Sequence, residues 1–323
     1  MCRDTKEAGV RPVPAGVPAG RDGGNGMAGQ GKAPAAAPLP GGSFGGGKTV
    51  AIAGLGLIGG SLALALKANT ACTVVGIDRD EGTQAAALAA GAVDAAGPEG
   101  LADADILLLA LPPSAAAPFL REHGGALKKG ALVTDVCGVK RAVVAACGPL
   151  CRERGLVFLG GHPMAGKETS GFASADAGLF RGASYILTPT EDTPETAVQT
   201  MRELAAAVGC ARVTLATPEE HDRMIAFTSQ LPHVLAGAYV KSPCCPKHAG
   251  FSAGSYRDVS RVAAVDEKLW TQLFRLNADD LCQEIDTLIE NLRTCRDAIA
   301  AKDPAQLESV LRESRLRKES VTP

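Results

Sequence analysis

The chain has 323 residues, 46% of them hydrophobic and only 4% aromatic, a length that suits about two domains with a sizeable core. Lys plus Arg number 33 against 35 Asp plus Glu, a net charge of −2, which excludes recognition of nucleic acid or an acidic membrane by bulk charge. Ten cysteines do not make a disulfide framework, because Cys72, Cys137, Cys147, Cys210 and Cys282 sit among Ala, Val and Leu and read as small buried apolar residues of a reducing compartment. Cys147 with Cys151, and Cys244 and Cys245 with His248, complete no four-ligand set, so no metal is expected.

Residues 1–47 are rich in Gly, Pro and Ala, carry almost no large apolar side chain and are expected to be disordered. Asp4, Glu7 and Asp22 in this stretch argue against a secretory signal or a transit peptide. The apolar run 106–111 ends at Pro112 and Pro113, too short to span a membrane, so a cytoplasmic location is expected.

From Lys48 strands and helices alternate: strand 49–53, helix 60–68, strand 73–78, helix 82–90, strand 106–111, helix 115–122, strand 131–136, helix 139–153, strand 156–160, and a strand near 184–188. This pattern predicts a Rossmann-type, doubly wound parallel α/β sheet. Between the first strand and helix lies Gly54-Leu55-Gly56-Leu57-Ile58-Gly59. Gly54 allows the tight turn, Gly56 lets backbone approach a diphosphate, and Gly59 lets helix pack on strand, so the diphosphate sits on the helix N-terminus. The second strand ends in Asp78, nineteen residues past Gly59, where a carboxylate accepts from an adenosine ribose; Arg79 follows it. The cofactor expected is NAD, with the nicotinamide end passing Leu111 and Pro112 at the carboxyl end of the third main strand. A plain strand-ending turn is the alternative for the two prolines.

After Ala216 the pattern becomes helical. Thr217 as N-cap, Pro218 at the first helical position, and Glu219 and Glu220 in the first turn announce a long helix. Residues 266–299 carry Leu269, Leu273, Leu276, Leu281, Ile285, Leu288, Leu292 and Ile299 at helical spacing, and 304–317 is more polar. The expectation is a dinucleotide-binding domain over 48–216, an all-α dimerisation and substrate domain over 217–316 that forms a homodimer through its apolar faces, and a flexible tail over 317–323.

An alcohol dehydrogenation needs a base, and the histidines are His123, His162, His221, His233 and His248. His123 ends a surface helix and His248 sits in a Pro/Cys loop, whereas His162 follows strand 156–160 at the carboxyl end of the sheet, inside His162-Pro163-Met164-Ala165-Gly166-Lys167-Glu168. At that block the chain resembles the prephenate/arogenate dehydrogenase family of tyrosine biosynthesis, over roughly residues 49–300. The glycine turn, Thr134-Asp135-Val136-Cys137-Gly138-Val139-Lys140, His221-Asp222, Leu231-Pro232-His233, Arg257-Asp258-Val259-Ser260-Arg261 and Leu269-Trp270 follow in the family's order.

The resemblance implies oxidative decarboxylation of prephenate to 4-hydroxyphenylpyruvate. By it, His162 accepts the proton of the ring hydroxyl, Glu168 lies near it, Arg261 pairs with the side-chain carboxylate, and His233 and Trp270 shape the pocket. The family commonly has serine at Gly138, which bonds the catalytic histidine, and histidine at Gln230, a position that bears on substrate choice. A helix-capping or core role for His233, an Asp258 partnership for Arg261, and a core role for Trp270 stay open. So do arogenate as substrate, a β-hydroxyacid dehydrogenase using Lys140 as acid, and a non-catalytic NAD sensor.

Overall fold

The computed structural model describes residues 44–321. In them β1 (Thr49–Ala53), β2 (Thr73–Ile77), β3 (Ala95–Ala96), β4 (Ile106–Leu109), β5 (Leu132–Asp135), β6 (Val157–Pro163), β7 (Ser184–Thr188) and β8 (Arg212–Leu215) form one sheet in the order 3-2-1-4-5-6-7-8. Alternate residues of β1 face opposite cores, as the period of two requires. Val50 and Ile52 pack with Leu62 and Leu66 of α1 (Leu57–Asn69) and Met201 and Leu204 of α5 (Glu195–Ala207). Ala51 and Ala53 belong to the cluster that holds Ala116 and Leu120 of α3 (Pro113–His123) and Val143 and Cys147 of α4 (Arg141–Glu153). The small α2 (Glu81–Ala89) follows β2.

The sheet departs from the all-parallel expectation at one place: β7 runs antiparallel to β6, with His162 opposite Ile186, and β8 is parallel to β7. A parallel return needs a helical crossover to carry the chain back along the sheet. Residues 164–183 contain only a short 3-10 turn, Phe172–Ser174, so the chain re-enters the sheet at the end it left. This connection lies on α1, with Asp176 N donating to Ser61 Oγ at 2.9 Å. β6 also reaches Pro163, so His162 is the penultimate residue of the strand rather than part of the loop after it. The pair α5 and β8 was not anticipated from the sequence pattern.

The helical half consists of α6 (Pro218–Ile225), a π-helical stretch (Ala226–Gln230), α7 (Leu231–Tyr239), α8 (Gly254–Ser260), α9 (Glu267–Leu276), α10 (Ala278–Ala300) and α11 (Pro304–Val321). Thr217 and Glu220 form a full capping box around Pro218. Pro232 has no N–H to return to Thr228, and the Leu231 N–H reaches back to the Ala226 carbonyl instead, which accounts for the π-helical turn. The expected single helix over 266–299 is broken at Asn277, which is 1% exposed and uses its side chain as an interhelical connector.

Three further expectations change. Residues 317–321 continue α11 rather than forming a tail. Phe44 is buried in the core beside Cys72, so order begins before Lys48; residues 1–43 lie outside the described residues. Cys282 is exposed on α10, whereas Cys72, Cys137, Cys147 and Cys210 are buried. Burial pushes the Cys147 and Cys210 thiols up to about 12, which leaves them unreactive. No helix among the described residues is long and apolar enough to cross a membrane.

Candidate active site

The glycine turn has the shape a dinucleotide requires. Gly54 has φ +89°, and a Cβ there would stand 2.3 Å from the Ala110 carbonyl; a Cβ on Gly59 would stand 1.8 Å from the Gly54 carbonyl. At Gly56 a Cβ would meet nothing within 4 Å, so the space above the turn is open to a ligand. No side chain caps α1, whose first amides at Leu57, Ile58 and Gly59 are left for an anion. Asp78 accepts from Leu55 N at 2.8 Å and Asp80 N at 3.0 Å, bracing the turn while keeping acceptor capacity for ribose hydroxyls. Leu55, expected among the cofactor-binding residues, has a fully buried side chain and an amide that donates to Asp78, so its visible part is to support the turn. Arg79 is exposed beside Asp78, Leu111 is half-buried, and Pro112 caps α3 at the carboxyl end of the sheet.

Beyond that end lie two groups of side chains. In the first, His162 Nδ1 is 2.9 Å from His221 Nε2, and His221 Nδ1 is 2.7 Å from Asp222 Oδ1. The N-terminus of α4 holds Asp222, with Lys140 N donating at 2.7 Å, Arg141 N at 3.0 Å and Arg141 Nε at 3.2 Å. Lys140 is fully buried, ion-paired with Asp135 and donating to the Gly161 carbonyl at 2.6 Å. Fully withdrawn from solvent and held by these two partners, its ammonium is placed as a structural cation, which weighs against Lys140 as a catalytic acid. Burial pushes the His162 imidazole well below the ordinary histidine range, and the Lys140 charge, with any proton on His221, pushes the same way. Burial likewise lowers His221, against the opposing bond to Asp222. Burial alone would raise Asp222, but the bonds from His221, Lys140 N and Arg141 N outweigh it and hold the carboxyl below the ordinary range.

The second group is polar and open. Arg261 Nη1 donates to Glu168 Oε1 at 2.5 Å, so its partner is Glu168 and not Asp258. A backbone hydrogen bond and then Arg261 keep Glu168 below the ordinary carboxylate range. His233 donates from Nδ1 to the Ser229 carbonyl at 2.8 Å and lies against Trp270, ring centroids 3.7 Å apart. Burial lowers its pKa, with Arg261 adding to the effect and the Ser229 bond and Glu168 opposing it. Trp270 meets Phe274 edge-on at 5.4 Å and is half-buried, a wall rather than a core residue.

Between the groups runs α9. A Cβ on Gly138 would be 3.6 Å from Leu273 Cδ2 and 3.9 Å from His162 Cε1, so Leu273 and the histidine both border the place where Gly138 has no side chain. Gln230 does not reach this space: it is 1% exposed, with Oε1 accepting from Asn277 Nδ2 at 2.8 Å and Nε2 donating to the Leu273 carbonyl at 3.4 Å. Its expected role in binding substrate becomes one of holding α9 to the π-helical turn. His221 is the residue that sequence reasoning left without a role; an acid directly after a histidine was the available clue.

Residues 62–215 match the family described as "Prephenate dehydrogenase, nucleotide-binding domain", and residues 217–313 match "Prephenate dehydrogenase, dimerization domain". The chain is similar to the prephenate dehydrogenase of Bacillus subtilis (strain 168), 33% identical over 270 residues that make up 80% of this chain and 72% of that protein. It is also similar to the cyclohexadienyl dehydrogenase of Zymomonas mobilis, 34% identical over 278 residues, 83% of this chain and 94% of that one. Among solved structures, the prephenate dehydrogenase from A. aeolicus in complex with hydroxyphenyl propionate and NAD+ has a TM-score of 0.76 and 26% identity, covering 85% of this chain and 98% of that chain. With both halves matched in order and relatives of this identity spanning most of its length, the chain belongs to the prephenate dehydrogenase family.

Proposed function

We propose that this chain is an NAD-dependent prephenate dehydrogenase, converting prephenate to 4-hydroxyphenylpyruvate and carbon dioxide. The observation that carries the reading is His162, half-buried at the carboxyl end of β6 with Nδ1 2.9 Å from His221 Nε2, at the end of the sheet where the glycine turn opens; desolvation there lowers its pKa and favours the neutral ring. NAD, when bound, would supply the hydride acceptor for the ring carbon bearing the hydroxyl, with the ring becoming aromatic as its carboxylate leaves as carbon dioxide. His162 accepts the hydroxyl proton, which only a neutral imidazole does. Arg261 offers a guanidinium fork to the side-chain carboxylate, exchanging Glu168 for substrate. His233 and Trp270 supply a ring wall beside it.

The site-residue roles are tested by His162→Asn, which keeps a polar side chain of similar size. Its kcat is expected to fall by roughly 10²–10⁴, with NAD affinity unchanged because the glycine turn is separate from the histidine. Retention of most of kcat would falsify the mechanism. Paired assays with prephenate and arogenate decide between the two substrates, and tight NAD binding without turnover of either would leave the sensor reading.

A homodimer through the helical half follows from the same family assignment. Ile289, Leu292 and Ile299 of α10 and Leu311 and Leu316 of α11 are exposed, more apolar surface than the small core around Ala226, Leu231 and Leu281 covers. Light scattering at micromolar protein is expected to show twice the chain mass; an active monomer would refute it.

A further inference from the structure

We propose that His221 and Asp222 form a positioning dyad that fixes the tautomer of His162, so that its Nε2 is the bare nitrogen presented for proton abstraction. The inference rests on His162 being the base, as proposed above, and follows from which atoms in the chain of contacts are able to donate.

Asp222 is the fixed end. Oδ1 accepts from the Lys140 amide and Oδ2 from the Arg141 amide and guanidinium, so its carboxylate is ionised and only accepts. The 2.7 Å contact to His221 Nδ1 therefore requires the hydrogen of His221 to sit on Nδ1. His221 is 1% exposed and neutral, and a neutral imidazole with Nδ1–H has a lone pair on Nε2. That lone pair faces His162 Nδ1 at 2.9 Å, a hydrogen bond only if His162 donates from Nδ1. The hydrogen of neutral His162 is thus on Nδ1, and Nε2 is left as acceptor.

The surrounding charges keep this arrangement. Lys140, from the turn before α4, and Asp135, from β5, form the buried ion pair beside both rings. The Lys140 ammonium disfavours protonation of either ring, and Asp135 opposes it weakly at His221. Arg141 continues from Asp222 to Asp280 of α10 at 2.5 Å, so the carboxylate that starts the chain is anchored to both halves of the protein. Near His162 Cε1, Gly138 supplies no side chain, and the neighbouring Leu273 is apolar. Among the described residues, His221 makes the side-chain hydrogen bond to the His162 ring. Without it an imidazole distributes between its two tautomers, and the fraction with Nε2–H has no lone pair toward the hydroxyl.

The test uses the full chain with NAD, and three variants. Asp222→Asn places a carboxamide where the two Arg141 donors demand an oxygen, so its NH2 takes the Oδ1 position, loses the Lys140 amide bond, faces His221 Nδ1 and reverses both rings. Nitrogen-15 spectra of the histidines, with His162 assigned by its loss in His162→Asn, are expected to show Nδ1–H on His162 in the parent enzyme and Nε2–H in Asp222→Asn. Its kcat for prephenate should fall by roughly 10²–10⁴, as for a wrongly set histidine tautomer, with KM and NAD affinity within about twofold. His221→Leu, which removes the acceptor, should lose kcat similarly, and His221→Gln, which offers an amide oxygen to His162 Nδ1, should recover most of it. This pair also decides the matter if Asp222→Asn fails to fold. Nε2–H on His162 in the parent enzyme, an unmoved tautomer in a folded Asp222→Asn, or equal kcat in His221→Leu and His221→Gln would each overturn the proposal. The tautomer is read without turnover: a parent enzyme inactive on both substrates refutes the proposed reaction while the spectra still judge the dyad.

Discussion

Asn277→Ala removes the buried amide that joins the helical half to the start of α4. Asn277 Nδ2 donates to Gln230 Oε1 and to the Asp222 carbonyl, each at 2.8 Å, and its Oδ1 accepts from Arg141 Nη2 at 2.6 Å. The three losses are unequal. The Asp222 carbonyl keeps the Ala226 N–H, and Arg141 keeps Asp222 and Asp280. Gln230 is 1% exposed, and among the described residues Asn277 is the donor to its Oε1, so that oxygen is left buried and unpaired. Such a group costs about 1–3 kcal/mol, and the broken bonds themselves add about 1 kcal/mol. The expected loss is roughly 2–4 kcal/mol. Urea unfolding at fixed protein concentration, followed by fluorescence of Trp270, the chain's one tryptophan, should show a lower midpoint with an unchanged slope. The double variant Gln230→Met with Asn277→Leu replaces both partners by apolar groups and should regain more than half of the loss. A loss below about 0.5 kcal/mol, or a double variant no better than the single one, would refute the reasoning.

Three other outcomes are expected. Gly56→Ala adds a methyl that meets no protein atom within 4 Å, at an ordinary φ of −69°, so Tm should hold while the Kd for NAD rises roughly tenfold or more, read by calorimetry. An unchanged Kd would show that no diphosphate sits over the turn. Arg261→Ala breaks only an exposed ion pair, so stability should not move, while KM for prephenate rises roughly tenfold or more through the unpaired substrate carboxylate; a KM within about twofold makes it a surface charge. Because His162 works as a neutral base and burial lowers its pKa, kcat should be retained as pH falls through about 6.5, the ordinary histidine value, and be lost only below it. A kcat that halves at or above that pH in the parent enzyme, with the limb abolished in His162→Asn, would contradict the desolvated setting of the ring.

What the sequence by itself determined was local. The glycine turn, the acid at the end of β2 and the capping box at Thr217 are legible because each depends on neighbours within a few residues, where backbone geometry dictates residue type. His162 was legible because an α/β sheet binds ligands at its strand ends. The direction of β7 was not, since a strand looks the same in either orientation and only the helix-free connection 164–183 decides it. Nor was the break at Asn277, where the apolar spacing continues across a residue whose amide is claimed by Asp222, Gln230 and Arg141 from other elements. The tertiary structure alone chose the partners: Glu168 for Arg261 across 93 residues, and His221 for His162 across 59. A side chain's type states what it is able to bond, but burial decides which bonds it must make, because a polar atom withdrawn from water has to find its partner among whatever the fold brings within 3 Å.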